Sequence, residues 1–229
     1  MNSILWLNSI TGSGIVYPLI FTAKVAAVTC VLHLLIGVTL GYYLSEKTSR
    51  MRDIIDILVT LPLVFPPIAL GFVLLLILGK GGPIGRFLYE FLGVQIIFSF
   101  WGVVLAAFVA GLPLIVKPVQ SAIQSTAKSL VEASYVLGKS EWQTFFHVII
   151  PSIKKSIVGG LTLAFGRSIG EVGLTLMLGG NIVGKTNTLS LEIYNSVFSG
   201  EFERALVLTF ILGSISSIIF IILKKLATL

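Results

Sequence analysis

The stretch Lys128–Pro151, KSLVEASYVLGKSEWQTFFHVIIP, divides two strongly apolar halves of the chain and decides how the rest is read. Ser129-x-x-Glu132 and Ser140-x-x-Gln143 each fit a capping box, in which a serine oxygen and a back-reaching Glu or Gln satisfy orphan N–H groups at a helix start. Gly138 lies between them, where a left-handed residue would end the first helix. Pro151 stops the second helix or bends it into the next apolar run. The expected device is a short helix, a turn at Gly138, and a second short helix carrying Trp142, Phe145 and Phe146. It forms a compact knob on a membrane surface.

Only 11% of the 229 residues are charged, 55% are hydrophobic, and the mean hydropathy is +1.01. Soluble domains carry about 25% charged residues, so this is an integral membrane protein. Five apolar runs stand out, at about Val16–Leu44, Ile54–Gly79, Val94–Val116, Ile153–Leu178 and Ala205–Leu223. No Lys or Arg precedes the first, which argues against a cleavable signal peptide. The single Cys30 leaves no disulfide framework and no thiolate metal site. The net charge of +6 is a matter of topology rather than of nucleic acid. With the knob inside, Lys47, Arg50, Arg52, Lys117, Lys128, Lys139, Lys154, Lys155, Lys224 and Lys225 fall inside. Lys80, Arg86, Lys185 and Arg204 fall outside, and Lys24 and Arg167 lie within spans. That asymmetry follows the positive-inside rule and sets the N-terminus outside and the C-terminus in the cytoplasm.

Within the spans, Pro62 and Phe65-Pro66-Pro67 interrupt the second run. They make either a broken helix beside a translocation path or a static kink, because freed carbonyls in a membrane need protein or a wet cavity to satisfy them. Gly37-x-x-x-Gly41 and Gly166-x-x-x-Gly170 permit close helix contact. Lys24 can snorkel to the outer surface. His33 and His147 have no Cys or carboxylate cluster nearby and are packing or interfacial residues. Gly179–Thr186 satisfies the phosphate-loop expression G-x-x-x-x-G-K-T, but it follows a membrane span and the chain has no room for an α/β nucleotide domain. It is a chance match. No catalytic constellation and no metal site is expected, so the chain is not an enzyme and binds no cofactor of its own. Arg167 and Glu171, four apart, share one helix face near the bilayer midplane, where ionisable groups face a bundle interior or an aqueous path. They either pin helices together or form part of an anion path.

Glu132-Ala133-Ser134, then Gly138 after three residues and Val148-x-Ile150-Pro151 after nine more, resembles the EAA loop of ABC importer permeases. Ser134, Val148 and Ile150 depart modestly from the family pattern. A second run, Glu171-Val172-Gly173, Gly180-Asn181-Ile182, Gly184-Lys185-Thr186-Asn187-Thr188-Leu189 and Glu192-Ile193-Tyr194, is similar to that of molybdate importer permeases, with Val172 in place of their usual Phe. Tungstate and sulfate permeases lie close by. The resemblance implies an all-α polytopic bundle of the type I (MetI-like) permease fold, with about five transmembrane helices and a cytoplasmic coupling helix. It implies an extracytoplasmic segment over 1–15, a membrane domain over 16–223 and a cytoplasmic tail over 224–229. A homodimer would work with two ATP-binding subunits holding ATP and magnesium and with an extracytoplasmic molybdate-binding protein. The residues expected to couple to the ATPase are Glu132, Ala133, Gly138, Lys139, Glu141, Trp142 and Pro151. Those expected at a path or gate are Arg167, Gly170, Glu171, Asn181, Pro62, Pro66 and Pro67. A channel or secondary carrier, which needs no ATPase, and an intramembrane hydrolase, which needs a catalytic dyad, are the competing readings.

Overall fold

The computed structural model describes residues 14–46 and 49–228, so Lys47 and most of the 1–15 segment lie outside the described residues. Every regular element among them is helical. In chain order these are α1 (Val16–Ser45), α2 (Arg50–Val64), α3 (Pro67–Leu78), α4 (Pro83–Leu92), α5 (Phe100–Ala122), α6 (Lys128–Val136), α7 (Glu141–Ser152), α8 (Lys154–Ile169), α9 (Gly173–Gly179), α10 (Leu189–Phe198) and α11 (Phe202–Thr228). The protein is an all-α integral membrane bundle.

Three helices are each long and apolar enough to cross a bilayer: α1, α5 and α11. At 1.5 Å per residue α1 is about 45 Å long, well over a core of about 30 Å, and tilting accommodates such a surplus. The other two spans read from the sequence are broken. The second divides into α2 and α3 at Phe65, where the backbone turns extended (φ −82°, ψ 138°) ahead of Pro66. Pro67 then sits in the first turn of α3, where its missing N–H costs nothing. Pro62 is held inside α2 and does not itself break it. The fourth divides into α8 and α9 at Gly170–Val172. If bent pairs are counted as single spans, α3 with α4 (43°) and α7 with α8 (72°) bring the number to five.

The centre of the bundle is α5. Of its most apolar window 61% is buried, against 6% for α11, so α5 is the hub and α11 a peripheral helix. Hydrophobic burial does not drive helices together in lipid; close packing does. Gly37 and Gly41 supply it, since a Cβ on either would fall 2.5 Å from Ile115 or 2.6 Å from Val119. Gly166 and Gly170 do not: neither faces a neighbouring helix. His33 is fully buried between α1 and α5, stacked on Phe108 and donating from Nε2 to its carbonyl at 3.0 Å. Ion pairs add cross-links that spacing alone does not reveal. Lys117 of α5 meets Asp56 of α2 at 2.5 Å, and Gln120 donates to the Leu44 carbonyl at 3.1 Å.

The first expected capping box is absent. Helix α5 runs on through a π turn, Ile123–Ala127, directly into α6, so Ser129 lies inside a continuous helix and has no orphan N–H to cap. No Gly or Pro interrupts the chain between Val119 and Leu137, and one wide turn lets the helix pass out of the bundle without ending. The last helix continues through 224–228, so the segment after Leu223 is helical as far as Thr228.

Candidate functional site: a turn at one end and a break within the bundle

The knob is built on Gly138. Its φ of 75° is left-handed, and the Lys139 N–H reaches the Ser134 carbonyl at 3.1 Å while the Gly138 N–H reaches that of Tyr135 at 2.9 Å. This is the paired closure of a Schellman C-cap. Ser140 then starts α7 with both halves of its capping box formed, its Oγ accepting from the Gln143 N–H and the Gln143 side chain accepting from the Ser140 N–H. A buried hydroxyl pair, Ser134 Oγ and Thr144 Oγ1 at 2.9 Å, locks α6 to α7. Ser134 also donates to the Val131 carbonyl at 2.8 Å, so the shared proton belongs to Thr144. The serine that departs from the family's alanine therefore has a structural partner. Ser134→Ala should cost about 1–2 kcal/mol by orphaning a buried hydroxyl. Adding Thr144→Val should return most of it, as read by thermal unfolding of the two variants.

With its inner face held, the turn presents an apolar outer face. Val136 is 88% exposed, Leu137 78% and Trp142 74%, and Trp142 stacks on the exposed Phe146 at 6.1 Å. Phe145 points the other way, edge-on to Tyr42 of α1 at 5.0 Å and into the core. Glu132, Ala133, Lys139, Glu141 and Pro151 all lie on exposed positions of the same protrusion. Isolated exposed apolar residues are ordinary, but a contiguous apolar patch marks an interaction surface.

The second constellation gathers around the two helix breaks. Gly173, at the start of α9, packs so closely on α3 that a Cβ there would sit 3.1 Å from Pro67 and Ile68. The breaks after Phe65 and after Ile169 thus meet. Glu171, 3% exposed, closes the gap: its Oε1 accepts from the Leu174 N–H at 2.8 Å and its Oε2 holds the Arg167 guanidinium. Ser168 and Ser190 satisfy the Ala107 and Ile169 carbonyls at 2.7 and 2.6 Å. Arg167 keeps 33% of its side chain exposed beside the open positions Gly166 and Gly170. Chemically this is a cationic group at a helix break, held by a buried carboxylate and bordered by glycine. Pro67, next to Pro66, packs on Gly173, just past Gly170 and the Arg167–Glu171 pair in the chain. Pro62 lies a turn away inside α2, and Asn181 lies beyond the far end of α9.

Asn181 has a different task. It adopts a left-handed backbone (φ 50°) and exchanges amide hydrogen bonds with Asn195 of α10 at 2.6 and 3.3 Å. The phosphate-loop match around it closes on itself, because Thr186 Oγ1 donates to the Gly179 carbonyl at 2.7 Å and accepts from the Ile182 N–H at 2.9 Å. No strand leads into it and its hydroxyl is used up, so it cradles no phosphate. Two elements escaped the sequence reading. Helix α4 is announced by Pro83 at its first position and a left-handed Gly93 just past its end. Helix α10 carries a buried Glu192 that pairs with Arg204 and accepts from Asn187 at 2.5 Å. Thr188 as its N-cap was the only local signal.

The family model for binding-protein-dependent transport system inner membrane components matches residues 34–228. The chain is 37% identical over 185 residues to the molybdenum transport system permease protein ModB of Azotobacter vinelandii, covering 80% of this chain and 81% of that one. It is 31% identical over 202 residues to ModB of Haemophilus influenzae, covering 88% of each. It is 32% identical over 194 residues to the putative molybdenum transport system permease protein YvgM of Bacillus subtilis, covering 85% of this chain and 86% of that one.

Proposed function

The chain belongs to the binding-protein-dependent transport system inner membrane component family, and on that premise we propose that two copies of it form the membrane path of a molybdate importer. Two separate ATP-binding subunits drive it from the cytoplasm with ATP and magnesium, and an extracytoplasmic molybdate-binding protein delivers the anion. The observation that carries the reading is the knob: a stapled, doubly capped turn whose exposed face is Val136, Leu137, Trp142 and Phe146. Such a surface fits a cleft on a motor subunit. The cargo follows the names of the relatives.

The geometry supports a simple lever. Helix α7 meets α8 at 72° around Ile153. Displacing the knob therefore swings α8, whose far end carries Arg167, against α3 at the helix breaks. ATP-driven closure of the partner subunits draws the two knobs together and reopens the path on the other side. Arg167 meets the dianion in passage. Glu171 lowers the local positive charge, so the anion is attracted without being trapped.

Vesicles holding the complete complex and its binding protein should accumulate labelled molybdate only with ATP inside the lumen that faces the knob. Uptake without ATP, or competition by sulfate as strong as by tungstate, would overturn the assignment. The orientation has its own test. In a Cys30→Ser background, Lys185→Cys should react with an impermeant thiol reagent from outside and Lys139→Cys only from the cytoplasm, since both side chains are exposed. The reverse pattern would remove the importer reading.

A further inference from the structure

A groove between the first, eighth and last helices has no part in the mechanism above. It lies between α1 and α11 with α8 as its floor, and it encloses about 340 Å³. Its α1 wall is made of small side chains, among them Ala23, Ala26, Ala27 and Cys30. Its α11 wall runs through Ile215 and Ile219 to Leu223, and Phe165 of α8 forms part of the floor. The lining is almost wholly apolar. Its one hydroxyl, on Thr22, already accepts from the Leu189 N–H at 2.8 Å, so nothing in the groove calls for water.

Two magnitudes limit the occupant. The walls extend from Leu19 to Cys30 and from Leu212 to Leu223, about 16 Å at 1.5 Å per residue. A helix segment of that length and about 10 Å across occupies roughly 1,300 Å³, so a helix would lie over the groove and not within it. A hydrocarbon chain fits. A methylene is close to a water in size, about 30 Å³, so the groove takes about a dozen chain carbons. Left empty, its walls would forgo those dispersion contacts.

The chain just beyond one end of the groove is basic in sequence. Leu223 is followed at once by Lys224 and Lys225, and Lys154, two turns from Leu161 on the same face of α8, begins the floor helix beside Lys155. Lysine stems run along apolar surface and set their ammonium groups at the headgroup level. Basic pockets between transmembrane helices are suited to anionic headgroups. We infer that the groove holds one anionic phospholipid per chain, with an acyl chain between α1 and α11 and its phosphate among Lys154, Lys155, Lys224 and Lys225. The inference rests on the chain's place in a bilayer and not on its cargo. The lipid serves as a packing partner for α11, of whose apolar window 6% is buried within the chain.

Native mass spectrometry of the assembled complex, released from nanodiscs of equal phosphatidylglycerol and phosphatidylcholine, tests this. One phosphatidylglycerol per chain should survive delipidation, at least tenfold over phosphatidylcholine. Ala27→Phe, at an exposed position of the wall, should fill the groove and cut retention at least tenfold; Ala23→Phe is the second variant should the first fail to assemble. Lys154→Gln with Lys224→Gln should equalise the two lipids. No retained lipid on the unaltered complex, or undiminished retention in the filled groove, would overturn the inference. So would an undiminished preference in the lysine variant. Efficient oxidative cross-linking of the native Cys30 to a second copy would also overturn it, by showing that protein covers the groove.

Discussion

Gly138→Val is expected to leave the chain inserted and assembled with its partners while lowering uptake and binding-protein-stimulated ATP hydrolysis by tenfold or more. The argument is conformational and not steric. A Cβ on Gly138 would meet nothing within 4 Å, but its φ is +75°. An L-residue there costs about 1–2 kcal/mol, and a β-branched one is a true outlier. The Schellman bonds from Gly138 and Lys139 close the backbone between α6 and the capped start of α7. Relieving the strain means reorienting Trp142 and Phe146 relative to Glu132. Asn, which tolerates the left-handed region, should therefore retain more coupling than Ala, and Ala more than Val. Equal activity across the three variants would separate the turn from coupling altogether.

The second large effect concerns Arg167 and Glu171. Arg167→Gln alone leaves Glu171, 2% exposed at its side chain, as a buried charge without its counter-ion. Breaking one side of such a pair typically costs about 3–5 kcal/mol, so that variant should assemble poorly. The informative change is Arg167→Gln with Glu171→Gln. A glutamine at 171 keeps an amide oxygen for the Leu174 N–H, so the cap on α9 survives while both charges go. The double variant is expected to assemble and to hydrolyse ATP near the normal rate, with molybdate uptake down tenfold or more. Normal uptake would reduce the pair to a pin between helix ends and take Arg167 out of the path.

Much of this was legible in order along the chain. Gly138, Ser140 and Gln143 are local signals, because a left-handed cap and a capping box depend on four or five consecutive residues and little else. The proline break before α3 is of the same kind. Ser129 misled, because a capping box is a motif for a helix start, and whether a helix starts there depends on whether the previous one has stopped. Asn181 was grouped with Arg167 by its motif, yet the two lie at opposite ends of α9, one tied to Asn195 and the other to Glu171.

The sequence by itself determined the membrane class, the five apolar runs, the bias of basic residues and the knob. Each rests on composition, on periodicity or on backbone preferences that act within a few residues. Only the tertiary structure decided which partners meet across long separations. Lys117 finds Asp56 sixty-one positions away, Gly37 and Gly41 bring α1 onto α5, and Gly173 seats the break of one span against the break of another. Those pairings are set by how close two helices can pack, and helix approach depends on both surfaces together. No single stretch of the chain carries that information.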